Sequence, residues 1–191
     1  MNTFIMANPQ KCIGCKACEI ACAVAHLDVS VSTAGATALP FIPRMNLVRT
    51  PYITMPIQCR QCDDAPCANI CAEGAIIHRN GINIVDDDKC IGCKKCMVAC
   101  PFGMIDIRPK ISNGELESQN GLRIQTAEGE QAKEVFVTYK CDLCSGRKGG
   151  PACIEVCPAG AFTTMDHSQI ITDIRKKRLA AALDIANNQK K

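Results

Sequence analysis

The stretch that most constrains this chain is Cys90-Ile-Gly-Cys93-Lys-Lys-Cys96-Met-Val-Ala-Cys100-Pro101. Its four cysteines stand two, two and three residues apart, and a proline follows the last. Structural zinc usually draws pairs of cysteines from two separated knuckles. Three sulfurs crowded into one short loop suit a bulkier object, an iron–sulfur cubane whose iron corners seek thiolates. Gly92, inside the first spacer, lets the backbone approach closely and take a positive φ. Cys100 lies on the turn leading away, where it faces a neighbouring cluster, and Pro101 ends that turn.

Four such motifs recur, each ending C-x3-C, in units of strand, ligand loop, short helix and strand. The first is Cys12, Cys15, Cys18 and Cys22. No proline follows it, so its helix, begun near Ala17, is expected to run on to about His26. His26 reads as a structural helix-end residue rather than a ligand. The second motif is Cys59, Cys62, Cys67 and Cys71, its middle spacer stretched by Asp63-Asp64-Ala65-Pro66. The third is Cys90, Cys93, Cys96 and Cys100. The fourth is Cys141, Cys144, Cys153 and Cys157, followed by Pro158, with a glycine-rich excursion loop in its middle spacer. All sixteen cysteines are thus expected metal ligands, for four [4Fe-4S] clusters.

In a two-cluster ferredoxin module, each cluster takes the first three cysteines of one motif and the last of the other. Between Cys71 and Cys90 there is room for little more than a hairpin, Ala75–His78 and Ile82–Val85 around Asn80-Gly81. Motifs two and three therefore read as one compact module. The gaps on either side are about twice as long and read as connections into and out of it. Motifs one and four then close an outer module. The expected ligand sets are Cys12, Cys15, Cys18 and Cys157; Cys22, Cys141, Cys144 and Cys153; Cys59, Cys62, Cys67 and Cys100; and Cys71, Cys90, Cys93 and Cys96.

The fold class is α+β: two bacterial-ferredoxin-like modules, one inserted in the other, with short hairpins and a C-terminal helix. Residues 1–30 plus 131–167 form the outer module and 57–108 the inner one. Residues 31–56 and 109–130 are connecting insertions, and 168–191 a helical tail. Further strands are expected at Thr3–Ala7, near Met45–Arg49 and Tyr52–Thr54, and at Gly103–Arg108. The rest of Val29–Pro56 reads as loop. Gly121–Thr126 and Val135–Tyr139 read as arms of a second hairpin, closed by Glu128-Gly129-Glu130. In the tail, Ile170, Ile171, Ile174, Ala181, Ala182 and Ile185 share one broad face, interrupted by the basic run Arg175–Arg178.

Composition limits the function classes. Aromatic residues make up 4% and tryptophan is absent, too little for an aromatic core, so clusters serve as internal cross-links. The formal charge of +3 treats thiols as neutral; four clusters at roughly −2 each take it to about −5. Lys11, Lys16, Arg60, Lys89, Lys94, Lys95, Lys140 and Arg147 lie beside or near cysteines, so the mild basicity reads as compensation for clusters and not as a nucleic-acid surface. There is no signal-peptide pattern and no apolar run of about 18 residues, so no membrane span is expected. A cytoplasmic location, where thiols stay reduced, argues against a disulfide framework. No Ser/His/Asp arrangement, phosphate-binding glycine loop or flavin fingerprint marks a catalytic site, so the chain reads as an electron carrier and not an enzyme.

With the motifs placed, the chain resembles the four-cluster electron-transfer subunits of the molybdopterin oxidoreductase group. It is most similar to the ferredoxin-like subunits of formate hydrogenlyase and of hydrogen-dependent carbon dioxide reductase. The resemblance rests on Cys12-Ile-Gly-Cys15, Cys59-Arg-Gln-Cys62-Asp-Asp-Ala-Pro-Cys67-Ala-Asn-Ile-Cys71, Cys90-Ile-Gly-Cys93 through Cys100-Pro-Phe-Gly, and Cys141-Asp-Leu-Cys144 with Gly150-Pro-Ala-Cys153. Ala72 departs from it, since a proline usually follows the motif-two cysteine. The resemblance implies a wire between a molybdenum or tungsten formate dehydrogenase and a hydrogenase, alongside related ferredoxin-like subunits, in a complex without a membrane anchor. A free polyferredoxin and an accessory protein for metalloenzyme maturation are the alternatives. The tail packs on its own modules, docks on another subunit, or joins copies of the chain into a filament.

Overall fold

The computed structural model describes residues 2–188; the end residues of the outer module and of the tail, 1 and 189–191, lie outside them. The chain opens with strand β1 (Phe4–Ala7), then the first ligand loop and helix α1 (Ala17–Ala25). As the missing proline implies, α1 continues past Cys22 and stops at His26. Helix α2 (Val31–Ala36) follows, in a stretch expected to be loop. Its Ser30 side chain accepts a hydrogen bond from the Thr33 N–H, an N-cap that holds a short helix without an apolar face. Strands β2 (Asn46–Arg49) and β3 (Thr54–Ile57) pair antiparallel. β3 lies later than the expected Tyr52–Thr54, and Pro56 within it needs an edge position.

The second ligand loop leads into α3 (Pro66–Asn69). The hairpin β4 (Ile76–Arg79) and β5 (Ile82–Val85) follows, with Asn80 and Gly81 both at positive φ, the conformation a two-residue turn demands. Helix α4 (Lys95–Ala99) carries the third motif, and β6 (Asp106–Pro109) leaves it. A small hairpin, β7 (Ile111–Ser112) and β8 (Glu115–Leu116), precedes a longer ribbon, β9 (Ser118–Thr126) and β10 (Gly129–Glu134). The expected pairing of Gly121–Thr126 with Val135–Tyr139 is therefore corrected: β10 takes that place. Strand β11 (Phe136–Tyr139) instead pairs antiparallel with β6, Phe136 opposite Pro109 and Tyr139 opposite Asp106. Short helix α5 (Ala152–Glu155), strand β12 (Phe162–Met165) and the long helix α6 (His167–Asn188) complete the chain.

The first and last strands meet: β1 pairs with β12, Phe4 opposite Met165 and Ala7 opposite Phe162. Helix α1 packs on α5, and α3 on α4. The buried core is correspondingly divided. One part holds Ile5, Ala7, Cys18, Cys22, Met45, Cys153 and Phe162; the other holds Cys67, Ile76, Cys96 and Ile105. Cysteine takes the places that larger apolar residues fill in other small domains. Among the described residues, no helix is long and apolar enough to cross a membrane.

Candidate metal centres

The cysteines gather in fours. One cavity is lined by Cys12, Cys15, Cys18 and Cys157, a second by Cys22, Cys141, Cys144 and Cys153, and a third by Cys71, Cys90, Cys93 and Cys96. In a fourth group Cys59 and Cys100 lie close enough to act electrostatically on both Cys62 and Cys67. The rest of each lining is largely apolar: Leu47, Pro56 and Phe162 around the first, Ile5, Met45 and Leu143 around the second, Ile76 and Ile91 around the third. Four soft donors around one apolar hole fit a thiolate-bound iron–sulfur cluster.

Backbone geometry explains how short loops aim three sulfurs inward. The residue before the second cysteine is left-handed in all four motifs: Gly14, Gln61, Gly92 and Leu143. The exit turns repeat as well. In motifs two, three and four the N–H of Gly74, Gly103 or Gly160 donates to the carbonyl of the last cysteine, three residues back. The next N–H, of Ala75, Met104 or Ala161, then donates to that cysteine's sulfur at 3.3, 3.4 and 3.3 Å. Such N–H···S bonds stabilise a thiolate ligand and tune the group it holds. In motif one the continuing helix removes this turn, and the Arg44 N–H donates to Cys22 Sγ at 3.3 Å instead.

Burial sets the thiol acidities. It pushes Cys18 and Cys67 up to about 11 and Cys153 up to about 12, and pushes Cys141 up strongly as well. Without a metal such thiols stay protonated and unreactive, so iron must displace the proton. Thr138 Oγ1 lies 3.4 and 3.3 Å from the sulfurs of Cys90 and Cys96.

His26, read from sequence as structural, sits beside the second cavity. Burial opposes its charge, but hydrogen bonds from Nε2 to Asp142 and from Nδ1 to the Cys22 carbonyl outweigh it and raise the imidazolium to about 9. Asp142 resists its own burial through His26, Arg44 Nη1 at 2.8 Å and the Cys144 N–H at 3.0 Å, which together hold its carboxyl low. His26, Asp142 and Cys144 lie close enough to hold an ion. The His26–Asp142 pair already accounts for two of the three, and Cys144 faces the four-sulfur cavity.

Two features escaped the sequence. Lys140, expected near a cysteine, is fully buried among polar groups. Of the sixteen cysteines, Cys15 and Cys93 alone are exposed.

A 4Fe-4S dicluster domain family matches residues 50–117 and a second one residues 89–161, while a 4Fe-4S binding domain matches residues 9–25. The chain is 40% identical over 185 residues to the electron transport protein HydN of Escherichia coli (strain K12), covering 96% of this chain and 99% of that protein. It is 38% identical over 170 residues to the putative electron transport protein YsaA of the same organism, covering 89% of this chain and 94% of that one. It is also 39% identical to the putative oxidoreductase AegA of that organism, covering 94% of this chain but 23% of the larger protein.

Proposed function

The chain belongs to the HydN-type electron transport proteins built on 4Fe-4S dicluster domains, and we propose that it carries electrons along four [4Fe-4S] clusters between two redox enzyme subunits. The observation that carries this reading is the gathering of twelve cysteines into fours around three cavities, with Cys59, Cys62, Cys67 and Cys100 close to one another. The sixteen cysteines divide into the four ligand sets named from the spacing, each set drawing three cysteines from one motif and one from another. Bound there, a cubane supplies one-electron redox chemistry. The chain's own residues supply spacing, insulation, N–H···S bonds and charge.

Cys18 and Cys22 share helix α1 but face different cavities, so the first and second sets are neighbours. Gln61 of motif two donates through Nε2 to the Cys141 carbonyl at 2.7 Å, linking the second set to that of Cys59, Cys62, Cys67 and Cys100. Helices α3 and α4 pack together and link that set to the set of Cys71, Cys90, Cys93 and Cys96. The path thus runs from the set with Cys15 to the set with Cys93, the two exposed cysteines, which mark where electrons enter and leave. The pairing of β1 with β12, and of α1 with α5, supports a module of motifs one and four around one of motifs two and three, with the domain limits given above. The dicluster match at 89–161 spans motifs three and four, whereas the cavity linings join motif one to four and motif two to three.

The partners in this reading are a formate dehydrogenase and a hydrogenase, in the cytoplasm. AegA, a putative oxidoreductase with a region similar to almost all of this chain, supports a lasting association with an enzyme over a free polyferredoxin or a maturation accessory. Purification without oxygen tests both parts. The protein should hold about sixteen irons and sixteen sulfides and copurify with catalytic subunits in fixed ratio. Zinc without visible absorbance would sink the cluster reading, and a brown but solitary protein would favour the free carrier.

A further inference from the structure

Lys140 is 1% exposed, among the largest fully buried side chains. Its Nζ donates to the Cys141 carbonyl at 3.0 Å, to Gln61 Oε1 at 3.5 Å and to the Asn83 carbonyl. Three acceptors meet three ammonium donors, so the hydrogen-bonding capacity of a charged lysine is filled. All three acceptors are neutral. Among the described residues, no carboxylate pairs with this cation. An ammonium is costly to take out of water, and a charge is kept inside a protein when an opposite charge offsets it.

The surroundings show where that opposite charge belongs. Gln61, which accepts from Lys140, stands next to Cys62, and Asn83 donates through Nδ2 to the Cys62 carbonyl at 2.9 Å. Asn83 N–H also donates to Gln61 Oε1 at 2.9 Å. Burial raises the Cys67 thiol, and the Lys140 charge is the largest influence opposing it. On its other side Lys140 grips Cys141. The cation therefore lies at the seam between two groups of four cysteines and is fixed there by a buried polar network.

We propose that Lys140 is the fixed counter-charge of the two inner clusters, those of Cys59, Cys62, Cys67 and Cys100 and of Cys22, Cys141, Cys144 and Cys153, and that it raises their reduction potentials above what their burial would give. The proposal rests on the four-cluster reading. Its physics is that each added electron makes a buried anionic group more negative, which low-dielectric surroundings disfavour and a nearby positive charge favours. Without Lys140 the middle of the path would be its hardest part to reduce. With it, the step that an electron entering at either exposed end meets at the seam is lowered.

The test is a redox titration followed by electron paramagnetic resonance on the whole protein and on Lys140→Gln, Lys140→Met and Lys140→Arg. The iron content of the unaltered protein is measured first; a value short of four clusters fails the underlying reading without reference to Lys140. With four clusters present, the neutral variants should keep their iron while two of the four potentials fall. The expected fall is at least tenfold in the equilibrium constant for reduction, about 59 mV for a one-electron couple. The two end clusters should not move, and Lys140→Arg should restore the inner pair. Retained iron with no potential shifted, or with all four shifted equally, overturns the proposal. Should both neutral variants lose their clusters, Lys140→Arg decides: clusters at the original potentials support the counter-charge, and loss there too overturns it in favour of a purely steric role.

Discussion

The left-handed residue before each second cysteine is where the chain meets its strictest local demand. Glycine satisfies it in motifs one and three, at φ 70° and 64°. Gln61 and Leu143 hold the same conformation at φ 49° and 56°, at a cost of roughly 1–2 kcal/mol each. Gln61 offsets that cost through its buried bonds to Cys141 and Asn83, and Leu143 by packing on the core around Ile5 and Phe162. The two glycines differ in a way that can be measured. A Cβ on Gly92 would overlap the Phe136 carbonyl oxygen, which is backbone of a paired strand. A Cβ on Gly14 would meet Arg49 Nη2 at 2.7 Å and Thr54 Cγ2 at 2.9 Å, both side-chain ends. Gly14→Ala should cost about 1–2 kcal/mol for the conformation, plus the disturbance of the Arg49 Nη2 hydrogen bond to the Gly14 carbonyl. Gly92→Ala should cost more, because β11 must shift. Thermal loss of visible absorbance ranks them, and equal stability of the two variants would contradict the contact. The cysteines and glycines were legible because their spacing is itself the chemistry. Gln61, Leu143 and the buried Lys140 were not, since their conformation or burial depends on groups distant in sequence.

At the scale of elements, what was legible was what is local. The Asn80-Gly81 hairpin and the unbroken α1 followed from adjacent residues. Non-local pairings were lost: nothing near Phe136–Tyr139 announces β6 as its partner, and nothing near Cys22 announces Arg44 as its hydrogen-bond donor. Helix α2 was missed because Ala34 is its one buried residue, so no apolar period marks it; the Ser30 cap was the available signal. The tail helix was legible as a helix but its face was only partly so. Asp166 Oδ1 accepts from the Gln169 N–H at 2.9 Å and starts α6. Gln169, Ile170, Asp173 and Ile174 are half-buried, while every residue from 175 to 187 is exposed, including Leu179, Leu183 and Ile185. A helix gains most of its stability from a covered face, and Arg175–Arg178 suits an acidic neighbour. We propose that this segment docks on another subunit or a second copy. Removing the chain from Arg175 onward should leave iron content unchanged and lower the assembly mass on size-exclusion chromatography. Loss of iron at unchanged mass would make α6 a brace for its own clusters.

Across the whole molecule, the division into repeats was legible because four motifs consume all sixteen cysteines. Which ends face outward was not, because exposure is a property of the assembled fold. Of the two exposed cysteines, Cys93 has the more telling surroundings. A shallow depression beside it is lined by Ile70, Lys94, Lys95, Val98 and Ala99, and Val98 is 83% exposed. An apolar floor with a basic rim next to the last sulfur suits a partner that presents its redox centre within an acidic rim. Charge of this kind acts mainly on encounter, raising association rates at low salt and losing influence as salt screens it. Lys94→Glu combined with Lys95→Glu should therefore slow electron transfer to the copurifying acceptor by tenfold or more at low ionic strength. The part of the deficit that comes from encounter should shrink as salt is added, with iron content unchanged. Stopped-flow measurement of that rate against ionic strength is the check. A rate unaffected at every salt concentration would place the exit at the other end of the path, beside Cys15.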